Sequence, residues 1–182
     1  MSHHYNTEIV YGLEAIIDRT LKRLSNASRK IDACISGAAI EGTVKAKPVY
    51  DITMVLKQRG VKLRYITEIT RQNLPYVREL MKTADFRHMD EIKGNYSIVD
   101  EVDYQATAAV TEGEGPTESV LSTAKAFVEQ QQFVFDMLWR KAIPAKQRIS
   151  EIEEGVKREY IETIQDHSEI KKNNFRFDFF SS

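Results

Sequence analysis

Two hydrophobic periods alternate over the first 81 residues, and that alternation narrows the fold more than any other feature. Val10, Leu13, Ile17, Leu21 and Leu24 fall three or four apart, which predicts a helix over 12–25. Residues 31–35 run without clear alternation, the pattern of a parallel strand buried on both faces. Pro48 marks the next helix start, Val49, Ile52 and Leu56 give its apolar stripe, and Gly60 suits its left-handed C-terminal cap. Residues 61–69 read as the next strand. Asn73 is placed to cap a further helix with Pro75 in its first turn, and Leu74, Val77, Leu80 and Met81 form its core face. Helix, strand, helix, strand, helix predicts an α/β fold with right-handed crossovers between parallel strands.

Beyond residue 81 the pattern changes. A short strand is expected over 86–89, then two more, 94–99 and 103–110, around a tight Asp100-Glu101 turn. A mobile loop over 111–116 leads into an expected long helix, 117–141, with Val120, Ala124, Phe127, Gln131, Phe135 and Leu138 on one stripe. At 1.5 Å per residue that helix would be about 37 Å long. Pro144 ends it, and Ile149, Ile152, Val156, Tyr160 and Ile164 give a last helical stripe over 146–164. The reading divides the chain into a compact unit, 1–143, and an exit helix and tail, 144–182.

Charge and cysteine content set the functional limits. Lys+Arg is 26 and Asp+Glu is 27, a formal net charge of -1. That balance argues against a nucleic-acid partner, which needs a cationic surface, and leaves room for a small anion site. Cys34 is the one cysteine, so neither a disulfide framework nor a Cys-based zinc cluster is available, and a cytoplasmic setting is expected. No apolar run approaches the roughly 20 residues that span a bilayer. No cofactor, metal or membrane partner is expected, and His3 and His4 are assigned no function.

Three strings carry a resemblance: RGVKLRYITEIT at 59–70, FRHMDEIKGN at 86–95, and VEQQQFVFDMLW with KAIPA at 128–139 and 141–145. Over about residues 7–170 the chain resembles the N-terminal phospholipase D-like sensory region of archaeal (thaumarchaeal) multidomain sensor histidine kinases. The resemblance implies half of a phospholipase D-like fold: a mixed sheet flanked by helices, with a long helix near the C-terminal end. It further implies a sensory role in two-component signal transduction. The domain would bind a small anionic ligand or a protein partner, act as a homodimer and relay through its C-terminal helix to a downstream kinase domain.

Phospholipase D enzymes use His-x-Lys-(x)4-Asp, in which the His attacks phosphorus and the Lys neutralises phosphate oxygens. In the comparable stretch Asp100 fits the acidic position, Lys93 stands in the nucleophile position and Asn95 in the lysine position. With the nucleophile missing, no enzymatic activity is expected. Lys93 and Asn95 offer N–H donors to an anion, or are plain surface beside a turn. His88 either lines the same pocket, where it could titrate near neutrality, or is hydrogen-bonded surface. Thr67, Glu68 and Arg71 follow a parallel strand, where ligands of open α/β sheets sit, although Glu68 could instead pair with Arg64 or Arg71. Cys34 is either a redox-sensing thiol or an inert buried one. Phe127, Phe133, Phe135 and Trp139 keep helical spacing and read as core or dimer packing. The kinase core itself is missing: the stretch from His167 to Lys171 lacks the phosphoacceptor pattern, and the Gly113/Gly115 loop is no ATP lid. A divergent phosphodiesterase or nuclease with His88 as base, and a dimerisation scaffold without ligand, remain as alternatives.

Overall fold

A computed structural model of the chain describes residues 6–107 and 116–155. One mixed eight-stranded sheet runs through it: β1 Thr7–Tyr11, β2 Lys30–Cys34, β3 Lys62–Thr67, β4 Asp85–His88, β5 Asn95–Val99, β6 Asp103–Thr107, β7 Glu118–Ser122 and β8 Ile143–Pro144. The helices are α1 Leu13–Ser25, α2 Ile40–Lys45, α3 Lys47–Gln58, α4 Leu74–Leu80, α5 Lys125–Lys141 and α6 Ala145–Glu153. The strand order is β1-β7-β6-β5-β2-β3-β4-β8. The centre, β2 to β3 to β4, is parallel, and every other neighbouring pair is antiparallel. The fold is thus α/β, as the sequence pattern predicts, with the mixed sheet flanked by helices that the resemblance implies.

The two faces of the sheet bury different side chains. Ile31, Ala33, Leu63, Tyr65, Phe86 and Val99 point to one face, where Leu24 of α1, Leu56 of α3, Val77 and Leu80 of α4, and Ala145 and Ile152 of α6 cover them. Cys34, Ile66, Ile98 and Tyr104 point to the other, beneath Val128 and Phe135 of α5. Period-2 alternation along β2 and β3 assigns each residue to its face. α6 is therefore packed into the main core as far as its last turn.

Several elements differ from the sequence reading. β1 lies ahead of Gly12, whose φ of 86° turns the chain into α1, so Val10 belongs to a strand. α2 occupies residues to which the sequence pattern assigns no element. The expected 25-residue helix is a strand and a shorter helix: β7 pairs with both β1 and β6, and α5 has 17 residues, about 25 Å. α6 stops at Glu153, and Gly155 has a φ of 72°, the conformation that ends a helix. All of the loop expected at 111–116 except Pro116, and the positions Val156, Tyr160, Ile164 and His167 to Lys171, lie outside the described residues, as do His3 and His4. No helix of the described residues is long and apolar enough to cross a membrane.

Candidate functional site

β2 is the switch strand of the sheet, parallel to β3 on one side and antiparallel to β5 on the other. The carboxyl ends of β2, β3 and β4 therefore meet the amino end of β5 along one edge, where the fold opens for ligands. Five expected site residues gather there: Thr67, Glu68, His88, Lys93 and Asn95. The backbone of β2 and β3 is held together at this edge by Ile35 N–H donating to the Ile66 carbonyl at 3.0 Å.

Asn95 is anchored by one end of its side chain. Its Oδ1 accepts from Ser36 N–H at 2.9 Å and from the Ser36 hydroxyl at 3.2 Å, while its buried Nδ2 has no partner among the described residues. Thr67 is fully buried, and its Oγ1 likewise has none. An unmade hydrogen bond at a buried group costs about 1–3 kcal/mol, so two on one edge mark it as incomplete. Lys93 stands exposed on the turn above, between the positive φ values of Glu91 (55°) and Gly94 (102°). Glu68, Asp90 and Glu91 are acidic residues of this edge, and Arg71 and Arg148 are cations at the β3–α4 loop beside it.

His88 does not line a pocket. It is buried at 1% exposure, its Nδ1 accepts from Ile69 N–H at 2.9 Å, and its Nε2 meets Asp90 Oδ1 at 2.9 Å. An Nδ1 that accepts places the proton on Nε2, so the ring joins the backbone of the β3–α4 loop to Asp90. That loop is also tied by Asn73, whose amide donates to the Glu68 carbonyl at 2.8 Å and the Gly37 carbonyl at 3.3 Å. Asn73 Oδ1 accepts from Thr70 N–H at 3.0 Å, and no side-chain bond caps α4. Sequence reading placed Asn73 as a cap and missed this bridge, although the Thr70-x-x-Asn73 spacing is its local signal.

The same loop touches α6. Arg71 donates to the Ile152 carbonyl at 2.8 Å, and Arg148 Nε donates to the Ile69 carbonyl at 3.3 Å. Arg71 is thus a strut to the last helix. Arg64 pairs with Asp32 and Asp136, and neither it nor Arg71 pairs with Glu68.

Asp100 leaves the group. It lies at the far end of β5, where its carboxylate accepts from Ser28 N–H, Arg29 N–H and Lys30 N–H at 2.8, 2.8 and 2.9 Å and from the Ser28 hydroxyl at 2.8 Å. Burial opposes its ionisation, but the donors from Lys30, Ser28 and Arg29 outweigh burial and hold its pKa below the ordinary carboxylate value. Cys34 is buried beneath α5, 3.1 Å from the Tyr96 hydroxyl. Burial first, with Asp32 adding to it and the Tyr96 bond opposing it, pushes the thiol up to about 11. That environment suppresses the thiolate that redox sensing requires.

No family model and no curated protein matches the sequence. The fold, however, has solved counterparts. Nuc, a phospholipase D family member from Salmonella typhimurium, superposes with a TM-score of 0.63 at 13% identity, covering 78% of this chain and 98% of that one. NucT from Helicobacter pylori gives 0.59 at 10%, covering 78% and 99%. TrmBL2, an archaeal chromatin protein with a novel mode of DNA binding, gives 0.60 at 18%, and the match covers 76% of this chain and about half, 52%, of TrmBL2. At these identities the likeness shows the phospholipase D-like fold.

Two expectations fall with these likenesses. A missing nucleophile was expected to mean no enzyme, yet solved enzymes share this fold, polyphosphate kinase from Porphyromonas gingivalis among them at a TM-score of 0.54. A balanced net charge was expected to mean no nucleic-acid partner, yet TrmBL2, about half of which shares this fold, is a DNA-binding protein. Net charge is a sum over the whole surface and is blind to how charge is distributed.

Proposed function

We propose that this chain is a phospholipase D-fold recognition domain that takes a small phosphate ester at the carboxyl edge of its sheet and passes occupancy to α6. One observation carries the reading: the β3–α4 loop borders the edge and hydrogen-bonds α6 through Arg71 and Arg148. Lys93 supplies the charge, and the Asn95 amide supplies a second donor. Because Asn95 Nδ2 and Thr67 Oγ1 lie under the surface, a ligand gains them as the turn bearing Lys93 moves aside. The surrounding carboxylates limit the ligand to one with few charges. On the sequence resemblance, the receiver of that signal would be a histidine kinase domain.

Calorimetric titration with bis(4-nitrophenyl) phosphate tests the binding. Lys93→Ala is expected to weaken it at least tenfold, as loss of a charged hydrogen bond does. Absence of heat with the unaltered chain, or equal binding by Lys93→Ala, would overturn the reading.

The likeness to Nuc over 98% of that chain favours a second reading, phosphodiester cleavage. The same compound reports it, because cleavage releases coloured 4-nitrophenolate. Turnover that disappears in Lys93→Ala would make this edge an active site.

A further inference from the structure

The opposite edge of the sheet is basic. It collects the amino ends of β2 and β3 and the carboxyl ends of α1, α3 and α4. Lys30 and Lys62 are direct neighbours in the β2–β3 register, and Lys62 N–H donates to the Arg29 carbonyl. Arg59 donates to the Ser25 and Ala27 carbonyls at 2.9 and 2.8 Å, and Lys57 donates to the Lys82 carbonyl. These bonds string the cations into one ridge along the edge.

The acids of this edge are mostly engaged. Glu101 pairs with Arg29 and Lys30, Glu79 with Lys82 and Asp103 with Arg23, and Asp100 is held by backbone amides. Asp85 stands at the rim. Lys22, Lys57, Arg59 and Lys62 are exposed and pair with no carboxylate among the described residues. The carboxyl edge has the reverse character, with Lys93 standing among Glu68, Asp90 and Glu91.

We propose that this amino-edge ridge binds the phosphodiester backbone of a nucleic acid. Five strands, β6 to β4, span about 19 Å at their usual spacing, with Lys22 beside the amino end of β6. That length faces about five phosphates of one DNA strand at 3.4 Å each. Four unneutralised cations against about five phosphates give complementary charge without any base contact, so the binding is sequence-independent. The ridge is separate from the phosphate-ester site at the other edge, and either proposal stands if the other fails.

Fluorescence anisotropy of a labelled 20-base-pair duplex against the full chain, from 50 to 200 mM KCl, tests it. Four released counterions give a log–log salt slope of about -3 to -4, a loss of roughly 10²-fold in affinity over that range. The Lys57→Ala/Lys62→Ala double variant, altered at two exposed positions, is expected to make the slope shallower by about 1.8. Lys45→Ala, which removes a cation paired with Glu41 on α2, is expected to leave it unchanged. No binding at 50 mM, an unchanged slope in the double variant, or an equal change in Lys45→Ala overturns the proposal. Tighter binding to phosphatidylserine vesicles than to the duplex also overturns it and makes the ridge a membrane contact.

Discussion

Replacing Asp100 by Asn separates its two readings, as a ligand-site acid or as a structural clamp. Asp100 Oδ1 accepts from Arg29 and Lys30 N–H, and Oδ2 accepts from Ser28 N–H and Oγ. Asn keeps the first pair, turns its NH2 towards Ser28 N–H and removes the charge. The φ of 51° is a left-handed conformation that Asn tolerates, so the substitution adds little backbone strain. At about 0.5–1 kcal/mol per half-exposed bond, plus the lost charge assistance, the cost is about 2 kcal/mol. In a chain of this size that lowers Tm by about 4–8 °C. Asp100→Ala loses all four bonds and adds about 1 kcal/mol of left-handed strain, so it is expected to cost about 3–4 kcal/mol. The folded pKa is depressed, so the contribution is fully present above the unfolded value near 3.9 and is lost as pH falls through the folded value. Urea unfolding followed by circular dichroism, at pH 7 and at steps below pH 4, measures both effects. Equal stability of Asp100→Asn and the unaltered chain at pH 7 would refute the clamp. So would a loss of phosphate-ester binding with stability unchanged.

Two further perturbations probe the face beneath α5. Asp32 is fully buried and accepts from Arg64 at 2.6 and 2.7 Å and from Gln132 at 2.8 Å. Asp32→Ala removes both bonds to Arg64, which keeps its pair with Asp136, and the bond from Gln132, and is expected to cost about 2–4 kcal/mol. Asp32→Ala with Arg64→Met should cost less than the sum of the single changes, and strict additivity in thermal unfolding would contradict the coupling. Cys34, with its thiol pushed up to about 11, is expected to resist iodoacetamide at pH 8 until urea unfolds the chain. Labelling of the folded protein within minutes would show that the thiol is exposed and reactive.

How much of this was legible follows from what each pattern encodes. α1, α3 and α4 repeat burial at the helical period, and β2 and β3 are near-continuous runs buried on both faces, so their residues declare them. β7 did not, because Val120 on its outward face is 37% exposed and its apolar character fits a helical stripe by coincidence. The real signal was the alternation of buried Ser119 and Leu121 with exposed Glu118 and Val120. β1 was hidden for the same reason, with Ile9 and Tyr11 exposed beyond the reach of α5. At the site, strand-end logic pointed to Thr67 and Glu68, the motif comparison pointed to Lys93 and Asn95, and His88 was chosen for its closeness to Lys93; the sheet topology brings the five to one edge. Asp100, seven residues beyond Lys93, lies at the other end of a five-residue strand. The bridge made by Asn73 and the struts made by Arg71 and Arg148 depend on loops meeting in space, which a linear pattern does not encode.

The carboxyl-edge reading is tested most directly by amide NMR during titration with bis(4-nitrophenyl) phosphate. The expected result is a shift of the Asn95 side-chain amide together with Lys93 and Ser36, accompanied by Ile69 and Ile152, where the β3–α4 loop meets α6. Shifts confined to the opposite edge, or none at saturating ligand, would contradict it.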